Sequence, residues 1–307
     1  MPRPEGELRA AIVQDADSGR VLYQQVTATN RLLAAKVNGV DSIRDAAVAA
    51  AADLFKANAG AVAIVGSGRS SVEEQFLTRK LAAALKATTH LVSHVGEGDQ
   101  ILISADRTPN VRGALVAGLV CTLPTRKLTE LAAAIDAGSV KAVISFGEDL
   151  LAAGLTAAQV AKIAVIYVGT HANPTSAIAR VALPTLTVFE KSGTFVNQQF
   201  RIQKFVRAVP GAAGAIDDLV VLSSLVAAAG GGALPAEINA LWKQMAAELP
   251  ALGSITFANL PETGLLLDAS PWASLPFVEG ETLHYKPGAP QAAPADKPPA
   301  PPASTPN

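Results

Sequence analysis

Metal and nucleophilic chemistry in this sequence would fall to four histidines, His90, His94, His171 and His284, and one cysteine, Cys121. His90 and His94 are four residues apart, a spacing that shares one face of a helix, yet HLVSH reads as a short strand and has no glutamate between them. With no carboxylate or third ligand nearby in sequence, no metal site is expected. Cys121 sits in GLVCTLP without an adjacent cysteine, histidine or basic residue, which predicts a buried, inert thiol. A lone cysteine excludes an internal disulfide and any all-cysteine zinc or iron–sulfur site built from this chain alone. Ser67, Ser70 and Ser71 lack the flanking residues of a nucleophile elbow, and no downstream Asp and His pair stands out, so hydrolase chemistry is not supported. No catalytic residue is assigned.

The remaining chemical candidate is Gly66-Ser67-Gly68, between a strand-like run and a helix-like run. Backbone amides in such a turn can approach a phosphate, because a helix N-terminus attracts anions. The third glycine of a dinucleotide fingerprint is missing, and no Lys-Ser or Lys-Thr follows as a P-loop requires. A tight structural turn remains the other reading.

The elements that position these residues alternate. Ser42 to Asn58 carries a helical pattern with Gly60 just past its end, followed by the strand-like Ala61 to Val65. Ser71 and Glu74 form a capping-box pattern that opens a helix to about Ala87, with short strands at HLVSH and Gln100 to Ile103. The rhythm then repeats. It predicts a helix over 128–137, a strand over 141–146, a helix over about 149–162 and a strand over 163–168, with Gly138, Gly147 and Gly169 at the joints. Apolar strands alternating with amphipathic helices predict an α/β fold with a parallel sheet covered on both faces. Residues 10–25 read as a hairpin around Asp17-Ser18-Gly19, residues 190–203 as a long structured loop, and 216–229 and 235–248 as helices flanking Gly230-Gly231-Gly232.

Composition bounds the functional classes. Lys and Arg total 25 against 26 Asp and Glu in 307 residues, with no long basic run, so nucleic acid is not expected as a partner. Hydrophobic residues make up 50% of the chain, but every apolar run is short of the roughly 20 residues a membrane helix needs. Neither an export signal nor a membrane span is predicted, and the single cysteine fits a reducing cytoplasm. Lys286 to Asn307 is rich in proline and alanine and reads as a disordered tail. The expected organisation is a hairpin region over 1–40, an α/β domain over 41–285 and the tail over 286–307.

Glu190-Lys191-Ser192-Gly193-Thr194-Phe195-Val196-Asn197, followed by Arg201 and Gln203, resembles the E-x-x-G-T-x-x-N-x-E-G-R-x-Q stretch of the molybdopterin oxidoreductase superfamily. In the same order, Ser42 to Ala46 resembles its S-W-D-E-A helix start, Asn110 to Ala114 with Gly118 its N-x-x-G-A-x-x-x-G loop, and Ala179 to Pro184 its A-D-V-V-L-P. The resemblance covers about residues 41–205 and implies the parallel-sheet sandwich domains of the formate dehydrogenase type. Ile43 stands for the family's Trp, Arg180 for its Asp, and Gln199-Phe200 for its Glu-Gly. A glycine there can take positive φ and let the backbone approach a ligand, whereas Phe200 cannot do so cheaply.

The resemblance is closest to the large peripheral-arm subunit of NADH-quinone oxidoreductase (respiratory complex I), which uses this fold as a structural body without molybdenum. It implies a non-catalytic part of the peripheral arm, binding no cofactor itself. Partner subunits would carry the iron–sulfur clusters and FMN, and the chain would be cytoplasmic and associated with the inner membrane only through the complex. The active members' cysteine cluster, molybdenum ligand and C-terminal barrel have no counterpart expected here. The alternative is a cut-down pterin or nucleotide pocket in which Gly66, Ser67, Gly68, Asn110, Gly113, Gly193, Thr194 and Asn197 contact phosphates; a nucleotide-binding regulator is a third reading. Leu275 to Thr282 is expected either to dock on a partner or to pack on its own domain.

Overall fold

A computed structural model of the chain describes residues 28–94, 106–124 and 128–277. The hairpin expected at 10–25, the strand at 100–103, His284 and the tail lie outside these residues.

The chain begins with a short hairpin, β1 (Ala35–Val37) and β2 (Val40–Ser42), and then helix α1 (Arg44–Ala57). β1 and β2 straddle the expected boundary at residue 40 and belong to the main sheet. Gly60, at φ 77°, reverses the chain into β3 (Val62–Ser67), every residue of which is buried. Helix α2 (Val72–Leu85) starts on Ser71, whose side chain accepts from the Glu74 amide, and stops at left-handed Lys86. β4 (Thr88–Val92) follows, so His90 lies in a strand and His94 in the loop beyond it. Next come α3 (Val111–Val116), α4 (Thr129–Asp136) and β5 (Ala142–Phe146).

The long helix expected over 149–162 does not form. Gly154 takes φ 103°, which breaks any helix, and Thr156 with Gln159 makes a reciprocal capping box that starts only a one-turn helix, α5 (Ala157–Val160). β6 (Ala164–Gly169), α6 (Pro174–Ile178) and β7 (Val181–Pro184) complete the repeat. The segment read as a loop is a β-hairpin, β8 (Gly193–Val196) and β9 (Arg201–Phe205), extended by β10 (Leu265–Leu266) into a small antiparallel sheet. Between β9 and β10 run α7 (Asp218–Ala228) and α8 (Ile238–Glu248).

The large sheet has the order β2-β1-β7-β6-β5-β3-β4, with β7 through β4 parallel and β1 antiparallel to β7. Its central strands alternate. Ile64, Ile144 and Ile166 pack toward α1, α2, α7 and α8, whereas Ala63, Val65, Val143 and Val165 pack toward α4 and α5. This is the two-faced burial that the continuous apolar strands imply. From β3 the chain moves outward to β4, then returns to the other side of β3 as β5, so the order reverses between β3 and β5. In open α/β sheets the crevice beyond the carboxyl ends at such a reversal is where ligands bind. Among the described residues no helix is long and apolar enough to cross a membrane.

Candidate functional site

The reversal places Ser67, at the end of β3, beside Glu148, just after β5. Ser67 Oγ donates to Glu148 Oε1 at 2.5 Å, and the Arg69 amide donates to the same hydroxyl at 3.1 Å. His94 Nε2 lies 3.2 Å from Glu148 Oε2, and the Arg69 guanidinium contacts that nitrogen. Burial pushes the Glu148 carboxyl up, but the His94 hydrogen bond, the Arg69 charge and the Ser67 hydroxyl outweigh it and hold the group below the usual carboxylate range. Tyr167 on β6 is pushed up by burial and by the Glu148 charge; its hydroxyl donates to the His171 carbonyl at 3.0 Å and accepts from Asn173. The crevice is therefore lined by an ionised carboxylate, partly balanced by Arg69. No group of three or more His, Cys, Asp or Glu converges among the described residues.

Of the eight expected residues, Ser67, Gly68, Asn110 and Gly113 meet at one joint, Thr194 bonds to Glu73, Asn197 bonds within the β8–β9 turn, and Gly66 and Gly193 lie in strands. The Gly68 amide donates to Val92 O and the Ser70 amide to Ser67 O. Asn110 is the hub. Its amide donates to Gly68 O, its Nδ2 to Ser70 O and Gln75 Oε1, and its Oδ1 accepts the Val196 amide at 2.7 Å. Gln75 Nε2 closes the joint on Ser67 O and Asn110 O. Gly113 is small because it must be: a Cβ there would lie 2.1 Å from Asn110 Oδ1. Asn197 Oδ1 accepts the amides of Gln199 and Arg201 and so closes the β8–β9 turn.

A second polar layer anchors the hairpin to α2. Glu73 is fully buried and accepts from the Thr194 amide and hydroxyl and from Trp242 Nε1 on α8, at 2.8 to 3.0 Å. Burial raises its carboxyl despite these bonds. Its neighbour Glu74 faces Lys191, whose ammonium is 2.7 Å from Glu74 and 3.1 Å from Asp218 on α7. Burial pulls Lys191 down, but the Asp218 and Glu74 charges outweigh it and hold it protonated. Asp218 is pushed up to about 7 by burial, against the pull of Lys191. Glu190 makes a buried ion pair with Arg31 at 2.8 Å and accepts the amides of Thr187 and Ala212.

Sequence reasoning missed Glu73, Gln75, Glu148, Asp218 and Trp242, and found Glu74 only as a cap. The Ser71-to-Glu74 pattern does mark the helix start, yet only its Ser71 half forms, because the Glu74 carboxylate goes to Lys191 instead. The one available signal was three adjacent polar residues in a first turn that the α/β pattern places next to the sheet.

One expectation, that Cys121 is buried, is corrected. Phe200 adopts the left-handed conformation, at φ 58°, and its ring is buried, stacked on Trp272 at 5.1 Å with Phe277 edge-on at 5.8 Å. The aromatic contacts hold a backbone geometry that costs a non-glycine residue about 1–2 kcal/mol. Cys121 is exposed. Its neighbours Val120 and Leu123 turn inward onto the core, which leaves Cys121 and Thr122 facing out.

A family model described as molybdopterin oxidoreductase matches residues 51–228, more than half of the 307-residue chain. The chain belongs to this family. The molybdopterin oxidoreductase match runs from within α1 to the end of α7, so it contains the crevice, the Asn110 hub and the β8–β9 hairpin. Trp242, Trp272 and Phe277 lie beyond it. Comparison with curated proteins yields no match.

Proposed function

We propose that this molybdopterin oxidoreductase domain is a non-catalytic structural part of an NADH-quinone oxidoreductase, in the manner of the large peripheral-arm subunit of respiratory complex I. Partner subunits carrying iron–sulfur clusters and FMN perform the electron transfer. The observation that carries the reading is the fate of the backbone donors in the phosphate-type turn. The amides of Gly68, Arg69 and Ser70 all donate inward, to Val92 O, Ser67 Oγ and Ser67 O. An anion held at such a turn needs those N–H groups free. The residues present therefore do not fit a pyrophosphate-bearing cofactor.

Three further features support the reading. The Glu148 carboxylate, ionised in the crevice, repels phosphate. Asn110, Thr194 and Asn197 spend their polar groups on the hairpin and the joint beneath it. Phe200 puts a buried ring where the resembled stretch has glycine. In this role the chain sits on the cytoplasmic face of the inner membrane through its complex, and its Glu73 and Lys191 anchors serve rigidity.

Purification of the tagged chain from its own cells tests this. Co-elution with NADH:quinone activity, FMN and iron–sulfur subunits, with neither cofactor on this chain after the subunits are separated, is the expected result. Elution alone, with tight binding of a guanine dinucleotide in titration calorimetry, overturns it in favour of a cut-down nucleotide pocket.

A further inference from the structure

The last described residues, 268–277, cross the β8–β9 turn and the start of α3. Among the described residues their hydrogen bonds run within the segment: Asp268 accepts from the Ser270 amide and hydroxyl, and the amides of Trp272, Ala273, Leu275 and Phe277 donate to Ala269, Ser270, Trp272 and Leu275. The last backbone bond to the rest of the domain comes just before it, from the Leu267 amide to Phe200 O at 2.9 Å. β10 fixes the chain upstream by pairing with β9.

What holds the segment down is apolar and aromatic. Trp272 stacks on Phe200 with the planes 11° apart, Phe277 meets Phe200 edge-on, and the Arg112 guanidinium lies 4.3 Å from the Phe277 ring centre. A small hollow beside it is lined by Val111, Arg112, Leu123, Pro124 and Phe277. Arg112 also pairs with Asp106 at 3.4 Å, so its charge keeps a partner when Phe277 leaves.

We propose that residues 268–277 form a strap that opens as a unit about Leu267 while the rest of the domain stays folded, uncovering Phe200, Val111 and Arg112. The local hydrogen bonds keep the strap's own turn intact as it moves. Among the described residues no backbone bond to the domain has to break beyond Leu267, and segments with few contacts of this kind open below the global unfolding free energy. The strap covers residues of two motifs, the Asn110 to Gly113 loop and the β8–β9 turn, so its opening sets when that surface is exposed. Cofactor content bears on the structural role proposed above and leaves the strap untouched, so the two fail separately.

Native-state hydrogen exchange on the full chain tests it. The amides of Trp272, Ala273, Leu275 and Phe277 should exchange about 100-fold or more faster than those of β5, with little dependence on added urea. The double variant Trp272→Ala, Phe277→Ala should speed exchange of the hydrogen-bonded α3 amides of Ala114 and Ala117 about tenfold and leave β5 unchanged. Strap amides that exchange at the rate and urea dependence of β5 would overturn the proposal, as would unchanged α3 exchange in a folded double variant. If the double variant does not fold, the first comparison decides alone.

Discussion

Replacing Lys191 with Met should be among the most damaging single changes in this domain. Lys191 is the cation between Glu74 and Asp218, with a side chain only 13% exposed, and no other cation is paired with either carboxylate among the described residues. Met keeps the length and apolar stem but removes the charge, leaving two buried carboxyl groups facing each other. Breaking a buried pair by deleting one partner costs about 3–5 kcal/mol, a large share of the ~5–15 kcal/mol that holds a typical protein folded. A urea titration at pH 8 should show the midpoint fall by about 1 M or more.

The pH dependence separates charge from packing. Asp218 already has its folded pKa raised to about 7 from 3.8, so the folded form binds that proton more tightly than the unfolded form. Its contribution is favourable at low pH and is lost as pH rises from about 4 through 7. Without Lys191 the Asp218 carboxyl should hold its proton to still higher pH, because the cation that pulls against burial is gone. The deficit of Lys191→Met relative to the parent should therefore shrink by about 1 kcal/mol or more between pH 8 and pH 5. A loss under about 1 kcal/mol at pH 8, or a deficit that is the same at both pH values, would refute the assignment of this triad as a buried charge anchor.

Other perturbations follow from the same geometry. Phe200→Gly relieves about 1–2 kcal/mol of left-handed strain but removes a buried ring worth about 3–5 kcal/mol, so thermal unfolding should show a net loss of about 1–4 kcal/mol. Gly113→Ala should force Asn110 Oδ1 off the Val196 amide and cost about 2–3 kcal/mol, read as a lower urea midpoint. Cys121 should react with a thiol reagent in the native protein without unfolding, because it is exposed; protection that lifts only on unfolding would contradict its placement.

What could be read from the sequence was local. β3, β5 and β6 announce themselves as continuous apolar runs, and Gly60, Gly138 and Gly147 take the positive φ that ends each preceding element. The α5 region misled because periodicity over 149–162 outweighed Gly154 and the Thr156 cap. The β8–β9 hairpin was hidden because its turn residue, Phe200, has no turn signature and takes its conformation from Trp272 and Phe277 more than seventy residues away. The candidate site was illegible for the same reason. Glu73 meets Thr194 across 121 residues and Trp242 across 169, and Ser67 meets Glu148 across 81. No spacing rule reaches that far. The resemblance pointed to Asn110, Thr194 and Asn197, and the structure shows their polar groups bonded within the domain.

If a molybdopterin oxidoreductase fold serves here as scaffold without the family's cofactor, the full chain purified from cells that make the cofactor should be free of it. Elemental analysis together with oxidative pterin release decides the matter. Neither molybdenum nor tungsten nor a fluorescent pterin product is expected in stoichiometric amount. One metal and one or two pterins per chain would contradict the scaffold role.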